Sequence, residues 1–568
     1  MEYKKLIECV PNFSEGRNKA VIKEITDAIE SVQGVKLLDV DPGAATNRTV
    51  VTFVGGPDAV AEAAFQGVKR ASQLIDMRGH KGAHPRIGAT DVLPLIPIAG
   101  ITLEECADLA RKLAKRIYEE LGIPTYNYEA AANKPGRKNL ADVRKGEYEA
   151  LEAKILSKDD KPDFGPKTYT EQAAKSGATV VGARDFLLAV NYNLNTTSTR
   201  IANDIAFAVR ERGRARREGG RPDGKLIKDK DGNTIFTPGT LKGTKAIGWF
   251  IEEYGIAQVS MNITERDKTP LHIAFDEVCR AAQERGICVS GAEIVGLLPK
   301  SSLIDAGIYY LKKQKRSIGI PEKEIIKIAI KSMGLSDLAP FKPEQKLIEY
   351  LLAADDKTKK LVDMSCQAFA EETASESPAP GGGSISAYAG ALGAALGTMV
   401  ANLSSHKAGW DERWEEFSDI AVKGQQLMSE LLALVDEDTL AFNKIMAVFS
   451  MPKGSEAEKS ARAQALQEAT LYATQVPLKT MRAALKVFDV VKAMAERGNP
   501  NSVSDAGVGA LMARSAVLGA WLNVKINAKD LEDRVVADKL LTEADKIAKQ
   551  AEKLEKATLE IVNEKIEG

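Results

Sequence analysis

The chain has 568 residues, enough for three to four domains at about 150 residues each. Its 44% hydrophobic and 28% charged residues are an ordinary globular composition with material for more than one core. A formal net charge of −1 removes the long-range attraction that a general nucleic-acid or membrane-surface binder needs.

The N-terminus, MEYKKLIECV, lacks the uninterrupted apolar stretch of a signal peptide, which leads us to expect a cytoplasmic protein. KLIECVPNF (5–13), VKLLDVD (35–41) and TVVTFVGG (49–56) read as strands ending in turn residues. RNKAVIKEITDAIESV (17–32) and DAVAEAAFQGVKRASQLI (58–75) carry apolar positions at helical spacing. TDVLPLIPIAG (90–100) predicts another buried strand, and LEECADLARKLAKRIYEELG (103–122) a helix stopped by Gly122. A second block repeats the order: FLLAVNYNLN (strand), TSTRIANDIAFAVRER (helix), AQVSMNIT (strand), HIAFDEVCRAAQERG (helix) and CVSGAEIVGLLP (strand). Beyond about residue 352 strand-like alternation stops and long Ala/Leu/Lys/Glu-rich segments with helical periodicity take over.

The fold class expected is therefore multidomain, two α/β (α+β) mixed-sheet subdomains followed by an all-α helical domain. The boundaries fall at 1–185, 186–352 and 361–568. The charged stretch Ala353–Lys360 reads equally well as a linker or as the cap of a helix. Ile385–Leu403 is 19 residues without a charge, but nine are Ala or Gly and no basic anchors flank them, so a buried helix is expected and not a membrane span. Its glycines Gly390, Gly393 and Gly397 leave a groove suited to a central helix or a subunit contact.

The chain has only four histidines, and two of them, His80 and His84, sit in RGHKGAHPRIGATD (78–91). Gly79, Gly82, Pro85 and Gly88 make that stretch a shaped loop, a place suited to proton transfer near neutral pH. The H-x-x-x-H spacing lacks both the helix and the glutamate of a zinc motif, so no metal is expected. The five cysteines are odd in number, dispersed and without C-x-x-C, as reduced thiols would be. DFG at 163–165 and the lone Gly507-Val508-Gly509 lack the companions of a kinase or a dinucleotide loop.

VPNFSEGR (10–17), DVDPGAATNRTVVTFVG (39–55), HKGAHPRIGATDV (80–92) and GAEIVGLLP (291–299) resemble the glutamate formiminotransferase family. SPAPGGGSISAYAGALGAALGTMV (377–400), LVDEDTLAF (434–442) and NPNSVSDAGVGA (499–510) resemble formiminotetrahydrofolate cyclodeaminase. The order of the two halves is that of the fused, bifunctional family.

The resemblance implies transfer of a formimino group from N-formimino-L-glutamate to N5 of tetrahydrofolate, late in histidine breakdown. It further implies cyclisation to 5,10-methenyltetrahydrofolate with loss of ammonia. Tetrahydrofolate, with or without a polyglutamate tail, would be a substrate, and no metal or redox cofactor is required. Partners would be small molecules and further copies of the chain, as dimers assembling into a larger ring. His84, before Pro-Arg, would be the transferase base, with His80 orienting it or touching substrate. The family's folate loop corresponds to Gly165–Gly177, carrying Gly165, Pro166, Lys167, Thr168, Tyr169, Ser176 and Gly177; a plain hinge would look similar. In the helical half the resemblance makes Asp438 the proton donor, with Asp436 facing about 200° away around the helix. Asp505 is a second catalytic candidate. Gly381, Gly382 and Gly383, ahead of the Ala/Gly helix, suit a carboxylate of the folate tail or merely a hinge. The basic stretch 210–245 reads either as a solvated insertion or as an electrostatic path for a polyglutamate tail. Runner-up readings are a transferase using N-formylglutamate, a chain active in one half only, and a folate-binding scaffold without turnover.

Overall fold

The computed structural model describes residues 5–44, 46–82, 85–221, 223–354 and 360–567. The chain divides into two compact units, 1–303 with 333–356, and 304–332 with 357–568.

In the first unit β1 (Leu6–Cys9) and β2 (Asn12–Phe13) form one interrupted strand between β4 (Arg48–Gly55) and β5 (Thr90–Ala99). β3 (Val35–Gly43) pairs with β4, while β6 (Thr125–Glu129) and β7 (Thr179–Ala183) extend the other side in parallel. One face is apolar because alternate residues point the same way. Ile7, Cys9, Val51, Phe53, Leu93 and Leu95 bury against α1 (Lys19–Glu30), α2 (Pro57–Leu74) and α3 (Leu103–Leu121). The helix ends follow from local chemistry. The Asn18 side chain accepts the Ala20 and Val21 N–H groups, and Thr102 and Glu105 form a capping box. Gly122 closes α3 at φ 69°, a left-handed position that glycine adopts without strain.

The second sheet is antiparallel, in the order β11 (Thr244–Ile251), β12 (Ile256–Ile263), β8 (Leu188–Leu194), β13 (Val289–Val295). It carries α4 (Thr199–Val209) and α5 (Leu271–Gln283) on one face; between α4 and β11 lies a two-stranded ribbon, β9 (Arg214–Ala215) and β10 (Phe236–Thr237). The stretch 186–352 is not one body. Residues 304–332 belong with the helical unit, because Gly319 lies against the Ala421 backbone and its carbonyl accepts Asn402 Nδ2–H at 2.9 Å. Residues 355–359 of the expected linker 353–360 lie outside the described residues.

The helical unit is built on α6 (Gly382–Ser405), α7 (Trp414–Phe449), α8 (Glu456–Arg497), α9 (Val503–Ala528) and α10 (Arg534–Glu567). α6 is central. Gly390 packs against Leu431 and Ala516, Gly393 against Gly509 and Ala513, and Gly397 against Val490. The Gly382–Ser405 and Pro500–Ala528 helices are long and apolar enough to cross a bilayer by length and composition alone, but small residues packed this closely are what a core helix needs.

α8 contains Pro477, which removes the N–H that would reach the Ala473 carbonyl. Asn527 Nδ2–H donates to that carbonyl instead, at 2.8 Å. Replacing Asn527 with alanine should therefore lower stability by about 1–3 kcal/mol, measured by urea unfolding, because a buried acceptor loses its partner.

Candidate active sites

On the face of the first sheet opposite its helices, Val92, Tyr126, Tyr128 and Val180 bury in a second, smaller apolar cluster with Val143, Leu151 and Ile155, and the rest of that face is polar. Glu8, Asn12, Asp39, Asp41 and Arg48 point from it into a cleft of about 580 Å³. Ala189, Asn262 and Val295 of the second sheet and the side chains of Tyr128 and Arg184 complete the lining. Glu8 is 2% exposed, and burial pushes its carboxyl up to about 7 against the opposing pull of Arg184. Burial likewise raises Asp39, helped by the like charge of Asp41, and holds Arg48 down at about 10 despite Asp91.

A buried ion network stiffens one wall. Asp91 accepts from Arg48 Nη1 and from Arg144 Nε, each at 3.1 Å, and from the Ile87 N–H at 3.0 Å. Arg48 Nε in turn donates to Asn12 Oδ1 at 3.0 Å. Asp91 thus ties the end of the histidine loop to the cleft-lining Arg48.

His80 is buried with both ring nitrogens engaged. Nδ1 faces the Arg86 Nε–H at 3.3 Å, and Nε2 lies 2.9 Å from the Asn47 carbonyl. A nitrogen that accepts from arginine carries no proton, so the ring is neutral and Nε2–H donates to Asn47. That arrangement holds the loop and engages both ring nitrogens with protein atoms, as an orienting residue would be held. Gly82 lies tight against the Thr46 backbone, and Thr46 lines the cleft. Ala83 and His84 lie outside the described residues.

None of Gly165–Gly177 lines the cleft. Ser176 and Gly177 are buried and used by the fold: the Ser176 carbonyl accepts the Ala89 N–H at 2.7 Å, and Gly177 bridges to Gly88. Thr170 caps the short Glu171–Ser176 helix, and Tyr169 packs beside Tyr126 and Ala173, whereas Lys167 and Thr168 are exposed and Gly165 and Pro166 half-buried. The backbone of the buried pair is thus used by the fold, while Lys167, Thr168 and Glu171 are exposed.

In the helical unit, Asp438 on α7 meets the N-terminus of α6. Ser384 Oγ–H donates to Asp438 Oδ2 at 3.1 Å. A Cβ on Gly383 would stand 2.1 Å from Asp438 Oδ1, so only glycine admits the carboxyl there. Burial raises the Asp438 pKa, partly offset by hydrogen bonds from Ser384. The Ser384 backbone and hydroxyl thus turn to an internal carboxyl at the helix end where Gly381, Gly382 and Gly383 sit. Asp436 points elsewhere, accepting the Leu361 N–H at 2.7 Å.

Asp505 does not join Asp438 within one chain. α6 and α9 run antiparallel: Gly382 lies by Asn523, Gly390 by Ala516, and Ser404 Oγ accepts the Asn499 N–H at 2.8 Å. Asp505 thus sits toward the C-terminal end of α6, about 27 Å along the helix from Gly383 at 1.5 Å per residue. Among the described residues no group of three or more His, Cys, Asp or Glu side chains is placed to hold a metal ion.

Exchanging Gly383 for alanine is expected to lower the turnover of the helical unit at least tenfold, because the new methyl must displace the Asp438 carboxyl. Turnover at the cleft of the sheet unit, assayed on the same preparation, should stay near the wild-type rate.

Three family models match the chain: the formiminotransferase domain N-terminal subdomain over residues 6–184, the formiminotransferase domain over 189–353, and formiminotransferase-cyclodeaminase over 365–546. The chain is 42% identical over 559 residues to a formimidoyltransferase-cyclodeaminase of Gallus gallus, covering 98% of this chain and 99% of the other. Over 308 residues it is 43% identical to a glutamate formimidoyltransferase of Streptococcus pyogenes serotype M1, 54% of this chain and 94% of that one. Over 200 residues it is 38% identical to a methenyltetrahydrofolate cyclohydrolase of Methylorubrum extorquens, 35% of this chain and 96% of that one.

Proposed function

The chain belongs to the formimidoyltransferase-cyclodeaminase family, and from that premise we propose how its two halves divide the chemistry. It is a bifunctional folate enzyme. The sheet unit moves the formimino group from N-formimino-L-glutamate to N5 of tetrahydrofolate, a step of histidine breakdown. The helical unit then closes 5-formiminotetrahydrofolate to 5,10-methenyltetrahydrofolate and releases ammonia.

In the transfer, N5 attacks the amidine carbon, loses its proton to His84, and the glutamate nitrogen leaves as an amine after gaining a proton. Glu8, able to hold or release a proton near neutral pH, attends that exchange in the cleft. In the cyclisation, N10 bonds to the same carbon and gives up its proton to solvent, the NH₂ group departs as ammonia once Asp438 has protonated it, and the N5 lone pair closes the cationic methenyl bridge. The carbon keeps its oxidation level throughout, so neither step calls for a redox cofactor. The observation that carries the second assignment is the Asp438 carboxyl seated against Gly383 and Ser384 with its pKa raised by burial.

Ile385, Leu392, Met399 and Leu403 form an exposed apolar stripe along α6, with Val508, Leu511, Leu522 and Ile526 exposed on α9. These faces support self-association into dimers, the unit from which a larger ring would assemble. A cytoplasmic location accords with five free cysteines.

The deciding assay supplies purified protein with N-formimino-L-glutamate and tetrahydrofolate and follows methenyl absorbance and ammonia together. Equal yields of both are expected, and absence of both products overturns the reading. The likeness to a cyclohydrolase favours one second reading of the helical half, in which water opens the methenyl ring. Ammonia release in step with ring closure decides against it.

A further inference from the structure

The stretch between α4 and β11 is the most arginine-rich part of the chain, and the cleft chemistry does not use it. Its backbone folds back through the β9–β10 pair and the bridges Arg217–Leu226 and Lys228–Thr234. That fold turns five arginines (Arg210, Arg214, Arg216, Arg217 and Arg221) onto one cavity of about 650 Å³ floored by Phe207 and Phe236. No lysine lines it, and it shares no residue with the cleft.

The positive charge of this cavity is not cancelled from within. Arg210 donates to the carbonyls of Gly213 and Ala246, Arg216 to Thr237 Oγ1 at 3.2 Å, and Arg217 to the Gly224 carbonyl at 2.8 Å. These acceptors are neutral, and among the described residues none of the three arginines has a carboxylate within ion-pair distance. Arg214 pairs with Asp204 at 2.5 Å, but that carboxylate is shared with Arg285. Only the exposed Arg221 has an acid of its own, Asp223 at 3.0 Å. The Phe207 ring lies under the Arg210 guanidinium at 4.1 Å, which fixes the plane of that fork.

Like charges brought this close repel, and a fold that gathers five arginines while leaving Arg210, Arg216 and Arg217 without an acid partner among the described residues is suited to receive an anion. We propose that this cavity binds a small polyanion whose two or more phosphate or carboxylate groups take bidentate bonds from Arg210, Arg216 and Arg217. Guanidinium forks match both kinds of oxyanion, so the shared chemistry defines the site and the probes separate the sources.

The test is calorimetric titration of the full-length protein at 150 mM KCl with tripolyphosphate in one arm and tri-γ-glutamate in the other. Saturable binding at one site per chain is expected in at least one arm, and the tighter arm identifies the source. The R216A/R217A double variant should weaken it at least tenfold, and R216K/R217K by less, because charge stays while the fork is lost. Both variants should melt at the wild-type temperature, since these side chains are exposed. Failure of both probes to saturate, or equal binding by the double alanine variant, overturns the proposal.

Discussion

Replacing Asp438 with asparagine should slow ammonia release by about 10²–10⁴-fold, the range associated with loss of a positioned general acid. 5-Formiminotetrahydrofolate should accumulate, because transfer in the sheet unit continues. Asparagine has the same shape, and its carbonyl oxygen still accepts from Ser384 Oγ, so the contact with Gly383 is kept. The change removes only the acid proton. A purely structural role predicts the reverse, a lower unfolding midpoint with turnover intact. The pH dependence follows from burial. A carboxyl whose pKa is raised in the folded state keeps its proton to a higher pH than an ordinary aspartate. Wild-type cyclisation should therefore persist below that raised pKa and decline as pH climbs through it. A pH–rate profile of kcat on preformed 5-formiminotetrahydrofolate measures this.

Periodicity made the larger elements legible, because one apolar face recurs at every second or at every third and fourth position. It missed the short or interrupted ones. Thr179–Ala183 is a five-residue strand buried on both sides and carries no alternation. Thr244–Ile251 does alternate, but it directly follows the basic insertion. Pro477 divides the pattern of α8 into two apparent helices, and its repair by Asn527 is a contact over 50 residues away in sequence. The catalytic constellations split the same way. Glycines at 381–383 signal a close approach but not what approaches, and the answer, Asp438, lies on another helix. Asp505 lies in a separate motif of the same resemblance and far from Asp438 in one chain, because antiparallel packing of α6 and α9 separates the two. Glu8 was visible and passed over: a lone carboxylate inside the apolar run LIECV must be buried at a cost, which is the usual mark of a working group.

His84→Ala and Glu8→Gln should both damage transfer, and their pH behaviour tells their roles apart. Removal of the His84 imidazole is expected to lower kcat for transfer by about 10²–10⁴-fold and leave cyclisation of supplied 5-formiminotetrahydrofolate unchanged. Glu8 and an ordinary histidine both titrate near pH 7, so the wild-type profile alone cannot apportion its inflection. Glu8→Gln should lower transfer by about 10-fold or more and erase one of two overlapping ionisations. A profile unchanged in shape would assign both to other groups. Stability supplies an independent readout with the opposite sign. Folding moves the Glu8 carboxyl from about 4.5 to about 7, so the native state binds the extra proton between those values. The native state therefore loses stability as pH rises through that window, by about 3 kcal/mol at 1.36 kcal/mol per unit. Glutamine never ionises and escapes that loss. The variant should be more stable than wild type by about that amount at pH 8 and nearly equal to it at pH 4.5, as read by urea unfolding at the two pH values. A gain in stability paired with a loss of transfer is what a strained functional group predicts, and a loss of both would mark Glu8 as a structural residue of the sheet.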